Sequence, residues 1–189
     1  RIPPVSWENA PGGEGSTHAV DPRNPDIVYS CGFYGSLTRS DLGKSRRSSK
    51  DILPVMDEGE KPLRGQWVAP FILSPHNPDI IYHGMQYVFR SRDMGNTWER
   101  ISPDLTYNDI NKIGDISYQT ISALSESPVK YGLLYAGTDD GVISISENGG
   151  ETWRQVRKIN GVPDFSYVSD ILSSKHDANV VYVSFDNHK

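Results

Sequence analysis

The amino-acid sequence predicts an all-β fold, a β-propeller of four-stranded antiparallel blades. Two observations predict it: a turn-and-strand unit recurs four times along the chain, and an eight-residue loop motif recurs in two complete copies. The turn-and-strand unit ends on Tyr29, Tyr82, Tyr135 and Tyr182, at intervals of 53, 53 and 47 residues. A period of this length is typical of repeat architectures, and in a propeller each repeat is a four-stranded sheet.

The composition suits many short strands. The chain has 189 residues, 10% of them aromatic, with 17 glycines and 13 prolines, as expected for strands joined by turns. The net charge of −5 argues against a nucleic-acid surface, which is normally basic. No apolar run of about 18 residues is present, so we expect no membrane span. The single cysteine, Cys31, excludes an internal disulfide. No histidine has a partner at metal-ligand spacing, so we expect no metal and no cofactor.

The first repeated element is a polar turn followed by an apolar pair and a tyrosine. Its copies are Asp21–Tyr29, Ser74–Tyr82, Ser127–Tyr135 and Ser174–Tyr182. This pattern predicts a turn that leads into a buried strand.

The second repeated element reads Ser-x-Asp/Asn-x-Gly-x-Thr-Trp, and we call its two copies, Ser91–Trp98 and Ser146–Trp153, the box loops. We expect the Asp or Asn side chain to fold back onto nearby backbone N–H groups and the glycine to adopt a positive φ. The threonine then begins the next strand, and the tryptophan anchors the loop to its sheet. The positions that define the motif are Ser91, Asp93, Gly95, Thr97 and Trp98, and Ser146, Asn148, Gly150, Thr152 and Trp153. A degenerate copy upstream keeps Asp41, Gly43 and Ser45.

These repeats divide the chain into about three and a half blades. We expect blades near residues 15–50, 67–102 and 117–158, an incomplete blade at 166–189, and long connections at 43–66 and 102–116. Within them we expect strands near 15–20, 26–32, 35–40, 67–73, 79–84, 86–91, 98–102, 117–124, 132–137, 142–146, 153–158, 166–172 and 179–185. An open row of blades exposes sheet faces that neighbouring repeats normally cover. We therefore expect the chain to be part of a larger propeller, although two copies could also close one.

The box loops resemble the Asp-box, or BNR repeat, of sialidases, sortilin-type receptors and xyloglucanase-like glycoside hydrolases. Four longer segments are similar to sequences of large bacterial BNR proteins that are described as sortilin-like or glycosyl-hydrolase-like, of xyloglucanase type. These segments are Cys31–Ser36, Phe89–Asp93, Ile101–Thr106 and Ala136–Gly141. The resemblance covers nearly all of residues 15–186. It implies a propeller and an extracellular or periplasmic location. It implies no particular reaction, because in these families the box lies on the outer rim, away from the active site.

A recognition module is the first functional hypothesis, with a polysaccharide or a protein as ligand. Trp67, Tyr118 and Tyr167 each begin the expected first strand of a blade. In a propeller this strand is innermost, so the three rings could surround one mouth of the channel and bind a sugar face or a peptide side chain. The alternative is that they pack between blades.

A glycoside hydrolase acting on a β-glucan is the second hypothesis, and whether the chain is an enzyme stays open. The resemblance to xyloglucanase-like enzymes makes Asp139 the matching catalytic acid, although Thr138–Gly141 also has the composition of a hairpin turn. The second carboxylate that hydrolysis needs would be Asp115, Glu126 or Asp170, or would lie on other blades. Arg1-Ile2-Pro3 resembles a sialidase motif, but the further arginines and the Tyr–Glu pair of sialidases have no counterpart, so we do not expect sialidase activity.

Overall fold

The computed structural model of the chain describes residues 11–13, 16–43, 48–114 and 117–187. Over these residues, fourteen strands form three four-stranded sheets and one two-stranded sheet, all antiparallel, and the strands of every sheet follow chain order. Each sheet is one blade, so the predicted all-β propeller fold is confirmed.

The strands of the four blades have the following bounds. The first blade contains β1 (Thr17–Val20), β2 (Ile27–Cys31), β3 (Leu37–Asp41) and β4 (Ser48–Asp51). The second contains β5 (Phe71–Leu73), β6 (Ile81–Gly84), β7 (Val88–Ser91) and β8 (Glu99–Arg100). The third contains β9 (Ile121–Glu126), β10 (Leu134–Thr138), β11 (Ile143–Ser146) and β12 (Arg154–Val156). The fourth contains β13 (Tyr167–Ser173) and β14 (Val181–Asp186), and a 3-10 turn covers Ile110–Lys112.

Strand β4 lies inside the segment 43–66, for which we expected a connection. It pairs with β3 and completes the first blade. All four of its residues are exposed, so it lacks the alternation of apolar and polar residues by which a strand is recognised in a sequence. The basic residues Lys44, Arg46 and Arg47, which precede it, lie outside the described residues.

The hydrophobic core consists of layers between successive sheets, and the repeated tyrosine contributes to each layer. Tyr29, Tyr82 and Tyr135 are 0%, 1% and 6% exposed. Each packs in a cluster with residues of the following blade, as Tyr135 does with Val168 and Ile171. Burial of a large aromatic ring is a major stabilising contribution, so each blade depends on the one after it.

Two glycines allow the inner strands of neighbouring blades to approach closely. A Cβ atom at Gly84 would lie 2.8 Å from Cγ2 of Ile121, and one at Gly137 would lie 2.3 Å from Cγ1 of Val168. Gly84 and Gly137 occupy the same repeat position, two residues after the tyrosine. In the second and third blades this position therefore needs a residue without a side chain because of the adjacent blade.

The box loops are closed by hydrogen bonds from their own side chains. In the first, Asp93 Oδ1 accepts the backbone N–H of Thr97 at 2.8 Å, and Ser91 Oγ accepts that of Gly95 at 2.8 Å. The pKa of Asp93 lies below its usual value, mainly because the carboxylate accepts this hydrogen bond from the Thr97 N–H. In the second, Asn148 Oδ1 accepts the N–H of Thr152 at 3.0 Å. Gly95 and Gly150 have φ values of 85° and 97°, which glycine adopts without a steric penalty.

Each box loop also binds the blade before it. Trp98 donates its indole N–H to the carbonyl of Ile52, and Trp153 donates to the carbonyl of Ile101 at 2.8 Å. An arginine on the third strand of the preceding blade reinforces each contact: Arg39 donates to Met94 O at 2.6 Å, and Arg90 donates to Gly149 O at 2.8 Å. We call the indole and guanidinium contacts together the box clamp. The clamp joins consecutive blades at their outer strands.

Candidate functional site

Antiparallel topology places two sets of loops at the same edge of the blades, which we call the upper face. It carries the hairpins between second and third strands, at 32–36, 85–87 and 139–142. It also carries the described parts of the connections between blades, at 52–70, 101–114, 117–120 and 157–166. The box loops lie at the opposite edge, because successive strands reverse direction. All four site residues expected from the sequence, Trp67, Tyr118, Tyr167 and Asp139, therefore lie at or next to the upper face.

A cavity of about 110 Å³ opens on the upper face at the third blade. Its lining combines aromatic rings, two carboxyl groups, one amide and one ammonium group, and we call it the upper cavity. The lining residues are Tyr107, Asp109, Lys112, Tyr118, Gln119, Asp140 and Phe165.

Two of the aromatic rings that line the cavity contact each other, and a cationic side-chain group lies over each of them. The ring centroids of Tyr107 and Phe165 are 4.9 Å apart, with the planes tilted by 48°. Lys112 Nζ lies 4.2 Å from the centroid of Phe165, and the guanidinium of Arg157 lies 4.8 Å from that of Tyr107. Such cation–ring contacts stabilise ring orientation, so the walls are preorganised.

A buried glutamine fixes the long connection that forms one side of the cavity. Gln119 is fully buried and has a φ of 60°. Its amide accepts the backbone N–H of Asp109 at 2.5 Å and donates to the Asp109 carbonyl at 2.7 Å. An ion pair of 2.9 Å between Arg64 and Asp104 also holds the connection. Residues 102–114, the described part of this connection, are thus attached to the blades at several points.

Asp140 is the buried carboxyl group of the cavity, only 1% exposed. Its Oδ2 accepts the backbone N–H of Tyr107 at 2.8 Å, and its Oδ1 accepts the hydroxyl of Thr138. Burial raises the pKa of Asp140, and the nearby charge of Asp104 acts in the same direction, against these hydrogen bonds. Burial also raises the pKa of Tyr107 and of Tyr118, with the negative charge of Asp140 contributing to both. A carboxyl group and two phenols therefore face one small space.

Asp139, the catalytic candidate from the sequence, is also 1% exposed but is not among the residues that line the cavity. Its carboxylate accepts the backbone N–H and the hydroxyl of Thr120, each at 2.9 Å, and the side-chain amide of Gln66 at 3.0 Å. These contacts join the hairpin to the segment before β9 and to the connection before β5. The geometry gives Asp139 a positioning task, and its catalytic role stays a prediction.

We expect Asp139→Ala to lower the free energy of unfolding by about 2–3 kcal/mol, because it leaves the buried N–H of Thr120 without its charged acceptor. Asp139→Asn keeps one acceptor oxygen and should cost less. Urea unfolding of both variants measures the two losses. A loss below about 0.5 kcal/mol for the alanine variant would contradict the positioning role.

The three predicted aromatic residues have different surroundings, and their arrangement around one mouth of the channel stays a prediction. Tyr118 lines the upper cavity, whereas Trp67 packs on Phe33 and Tyr34 with ring centroids 4.3 and 5.4 Å apart. Trp67 is 52% exposed and precedes β5 by four residues. Tyr167 is the first residue of β13, is half-buried, and has its pKa raised by burial.

The candidate second carboxylates lie elsewhere. Glu126 ends β9 at the edge opposite Asp139, where it accepts the Tyr82 hydroxyl at 3.3 Å. Asp170 accepts the N–H of the next residue, Ile171, at 2.8 Å. Asp115 lies outside the described residues, as does the segment Arg1–Pro3. Within the described ranges, the two carboxyl groups that share the upper cavity are Asp109 and Asp140.

Of the seven residues that line this cavity, sequence reasoning identified only Tyr118 and missed the other six: Tyr107, Asp109, Lys112, Gln119, Asp140 and Phe165. The available signal was the aromatic content of the long connections. No group of three or more His, Cys, Asp or Glu side chains that could hold a metal ion occurs in the part of the chain that the structure describes. In the same part, no helix is both long enough and apolar enough to span a bilayer.

No family model matches the sequence, and no curated protein matches it. Among solved structures, the GH74 xyloglucanase from Xanthomonas campestris is similar, with a TM-score of 0.54 and 19% identity over 89% of this chain and 26% of that chain. The GH74 enzyme of Niastella koreensis gives a TM-score of 0.51 and 18% identity over 89% and 25%. YCF48 bound to a D1 peptide gives 0.47 and 11% over 86% and 49%. The chain thus spans about a quarter of the length of the two GH74 proteins, and the likeness shows the β-propeller fold.

Proposed function

We propose that the chain is a glycan-recognition unit of an exported propeller protein and that the upper cavity binds a sugar ring. The observation that carries the proposal is the combination of aromatic walls with buried polar groups in one preorganised space. The finer resemblance to Asp-box proteins of the sortilin-like and xyloglucanase type, and an extracellular or periplasmic location, belong to the same proposal.

The chemistry of the cavity suits a neutral pyranose. The rings of Tyr107, Tyr118 and Phe165 offer apolar faces to the C–H groups of a sugar. The carboxyl group of Asp140 accepts hydrogen bonds from sugar hydroxyls, and the ammonium group of Lys112 donates to them. A volume of about 110 Å³ is below that of usual ligand pockets, about 300–1,000 Å³. We therefore expect the cavity to hold part of one ring, with the rest of the glycan on the upper face.

The aromatic platform of Trp67, Phe33 and Tyr34 could receive the neighbouring sugar units. It is connected to the cavity through Gln66, which precedes Trp67 and donates to Asp139, the residue next to Asp140. Trp67 and Tyr34 are both exposed on this platform. A protein ligand, the other partner expected from the sequence, would meet the same face.

Hydrolysis of a β-glucan is the second candidate function, and one observation favours it. The upper cavity contains two carboxyl groups, and burial raises the pKa of one of them, Asp140, as a general acid requires. The other carboxyl group, Asp109, has a structural role, which argues against hydrolysis: its Oδ1 accepts the N–H of Asn111 at 3.1 Å and caps the 3-10 turn. An assay for reducing ends on a β-glucan tests the candidate; if activity appears, Asp139→Asn, Asp140→Asn and Asp109→Asn identify the acid.

The recognition proposal is tested by calorimetric titration with cello-oligosaccharides of three and six units. We expect saturable binding with a Kd of roughly 0.1–10 mM, weak because the cavity is small and open. The six-unit chain should bind more tightly than the three-unit chain, since it reaches the Trp67 platform. A charged oligosaccharide of equal length serves as the specificity control. Absence of binding by every neutral oligosaccharide tested at 20-fold the weakest expected Kd would contradict the proposal.

A further inference from the structure

One face of the fourth blade is exposed where the same face of the other blades is buried. Tyr182 is 63% exposed, although Tyr29, Tyr82 and Tyr135 at the same repeat position are almost fully buried. Leu172, its partner across the β13–β14 pair, is 57% exposed. In the first three blades this face packs on the following blade.

The outer edge of β14 has no partner strand among the described residues, whereas every other second strand pairs with a third. The third strands share a pattern. They place an aliphatic residue first and a buried serine three positions later, as Leu37 and Ser40, Val88 and Ser91, and Ile143 and Ser146. The repeat therefore specifies which kind of strand belongs beside β14.

The third blade also offers a position that receives the box clamp at the earlier junctions. Ile52 and Ile101 each donate their N–H to the carbonyl of the first residue of the third strand, Leu37 at 2.8 Å and Val88 at 2.9 Å. Their own carbonyl oxygens accept the indole N–H of a box tryptophan. In the third blade, Val156 is the Cα partner of Ile143, so it occupies the equivalent position.

A groove of about 320 Å³ lies between the third and fourth blades. Leu133, Tyr135, Ile145 and Val181 give it an apolar part, and Lys130, Glu147 and Arg154 give it charge. The equivalent grooves at the first two junctions have a box loop as one wall, through Met94 and Asn96 and through Asn148 and Gly149. At the third junction the box loop of the third blade contributes Glu147, and the described residues of the fourth blade include no box loop that could form the other wall.

We propose that this edge and groove bind a β-hairpin of the box type, with the pattern aliphatic-x-x-Ser-x-Asp/Asn-x-Gly-x-Thr-Trp. Its first strand pairs antiparallel with β14, and its tryptophan donates to the carbonyl of Val156. The partner is a further stretch of polypeptide and not a second copy. In a second copy, the hairpins β7–β8 and β11–β12 are already paired inside their own sheets.

The test uses a synthetic peptide with the sequence of residues 143–156, which is a box hairpin of this chain. Hydrogen exchange of the β14 amides is measured with the full chain and saturating peptide. We expect exchange at the outer edge of β14 to slow at least tenfold. A peptide with alanine at the tryptophan position should lose at least tenfold in affinity. In the full chain, Tyr182→Asp should also lower the affinity for the peptide at least tenfold. Val55→Asp, at another exposed site, should leave this affinity unchanged.

An isolated hairpin is marginally stable in water, so the same peptide is also attached behind residue 189 through a flexible linker, which raises its effective concentration. Protection of β14 by the attached hairpin, and its loss with the alanine version, would support the proposal. Equal β14 exchange with the attached box hairpin and with a scrambled one would overturn it. A dimer in light scattering that Tyr182→Asp dissociates would also overturn it, because the occupant would then be a second copy.

Discussion

Replacing Trp98 or Trp153 by alanine is expected to lower the free energy of unfolding by about 3 kcal/mol each. Truncation of a large core ring costs about 3–5 kcal/mol, and both tryptophans are half-buried, which places the expected loss at the lower end. Each change also removes the indole N–H that satisfies a carbonyl of the preceding blade, Ile52 or Ile101. The measurement is urea unfolding followed by circular dichroism.

Two controls separate the ring from its hydrogen bond. Trp98→Phe keeps an aromatic ring and removes the donor, so it should cost about 1–1.5 kcal/mol. Trp67→Ala removes a tryptophan that is 52% exposed and should cost about 1 kcal/mol. If both box variants lost less than about 1 kcal/mol, the box clamp would not join the blades.

Replacing Tyr107 by alanine is expected to weaken cello-oligosaccharide binding by a factor of roughly 5–30. The substitution removes one wall of the upper cavity, the contact with Phe165 and the ring beneath Arg157. The backbone N–H that Tyr107 donates to Asp140 remains, so the carboxyl group keeps its position. Loss of one sugar–ring contact of about 1–2 kcal/mol corresponds to a factor of about 5–30.

Three further variants test whether the lost oligosaccharide affinity comes from the aromatic ring in the upper cavity. Tyr107→Phe keeps the ring and should bind within threefold of the unmodified chain. Tyr131→Ala removes a more exposed aromatic residue at the opposite edge, 49% exposed where Tyr107 is half-buried, and should have no effect on binding. Trp67→Ala should weaken binding of the six-unit oligosaccharide more than binding of the three-unit oligosaccharide. Equal affinity of the Tyr107→Ala and unmodified chains would remove the cavity from the binding surface.

The blades could be predicted from the sequence because each repeat carries its signal in buried or conformationally special positions. The tyrosine at the end of the turn unit is buried in three copies, and the box glycines need a positive φ. Strand β4 could not be predicted, because its four residues are polar and exposed and the pairing with β3 decides its structure.

The cavity was less accessible to sequence reasoning for two physical reasons. Asp139 and Asp140 are adjacent in one hairpin, and composition does not determine which of the two side chains bonds Thr120 and which one faces the cavity. Tyr107 and Phe165 lie in connections without hydrophobic periodicity, and their contact is tertiary. Phe165 also has a φ of 63°, a conformation uncommon for a residue with a bulky side chain.

The most direct test of the recognition account is to locate the bound oligosaccharide by NMR. Side-chain signals of tyrosine and phenylalanine are followed while the six-unit cello-oligosaccharide is added. The account predicts saturable shifts of Tyr107, Tyr118 and Phe165, with Tyr131 at the opposite edge unchanged. Shifts confined to the grooves beside the box loops, or no saturable shift at the upper cavity, would contradict it.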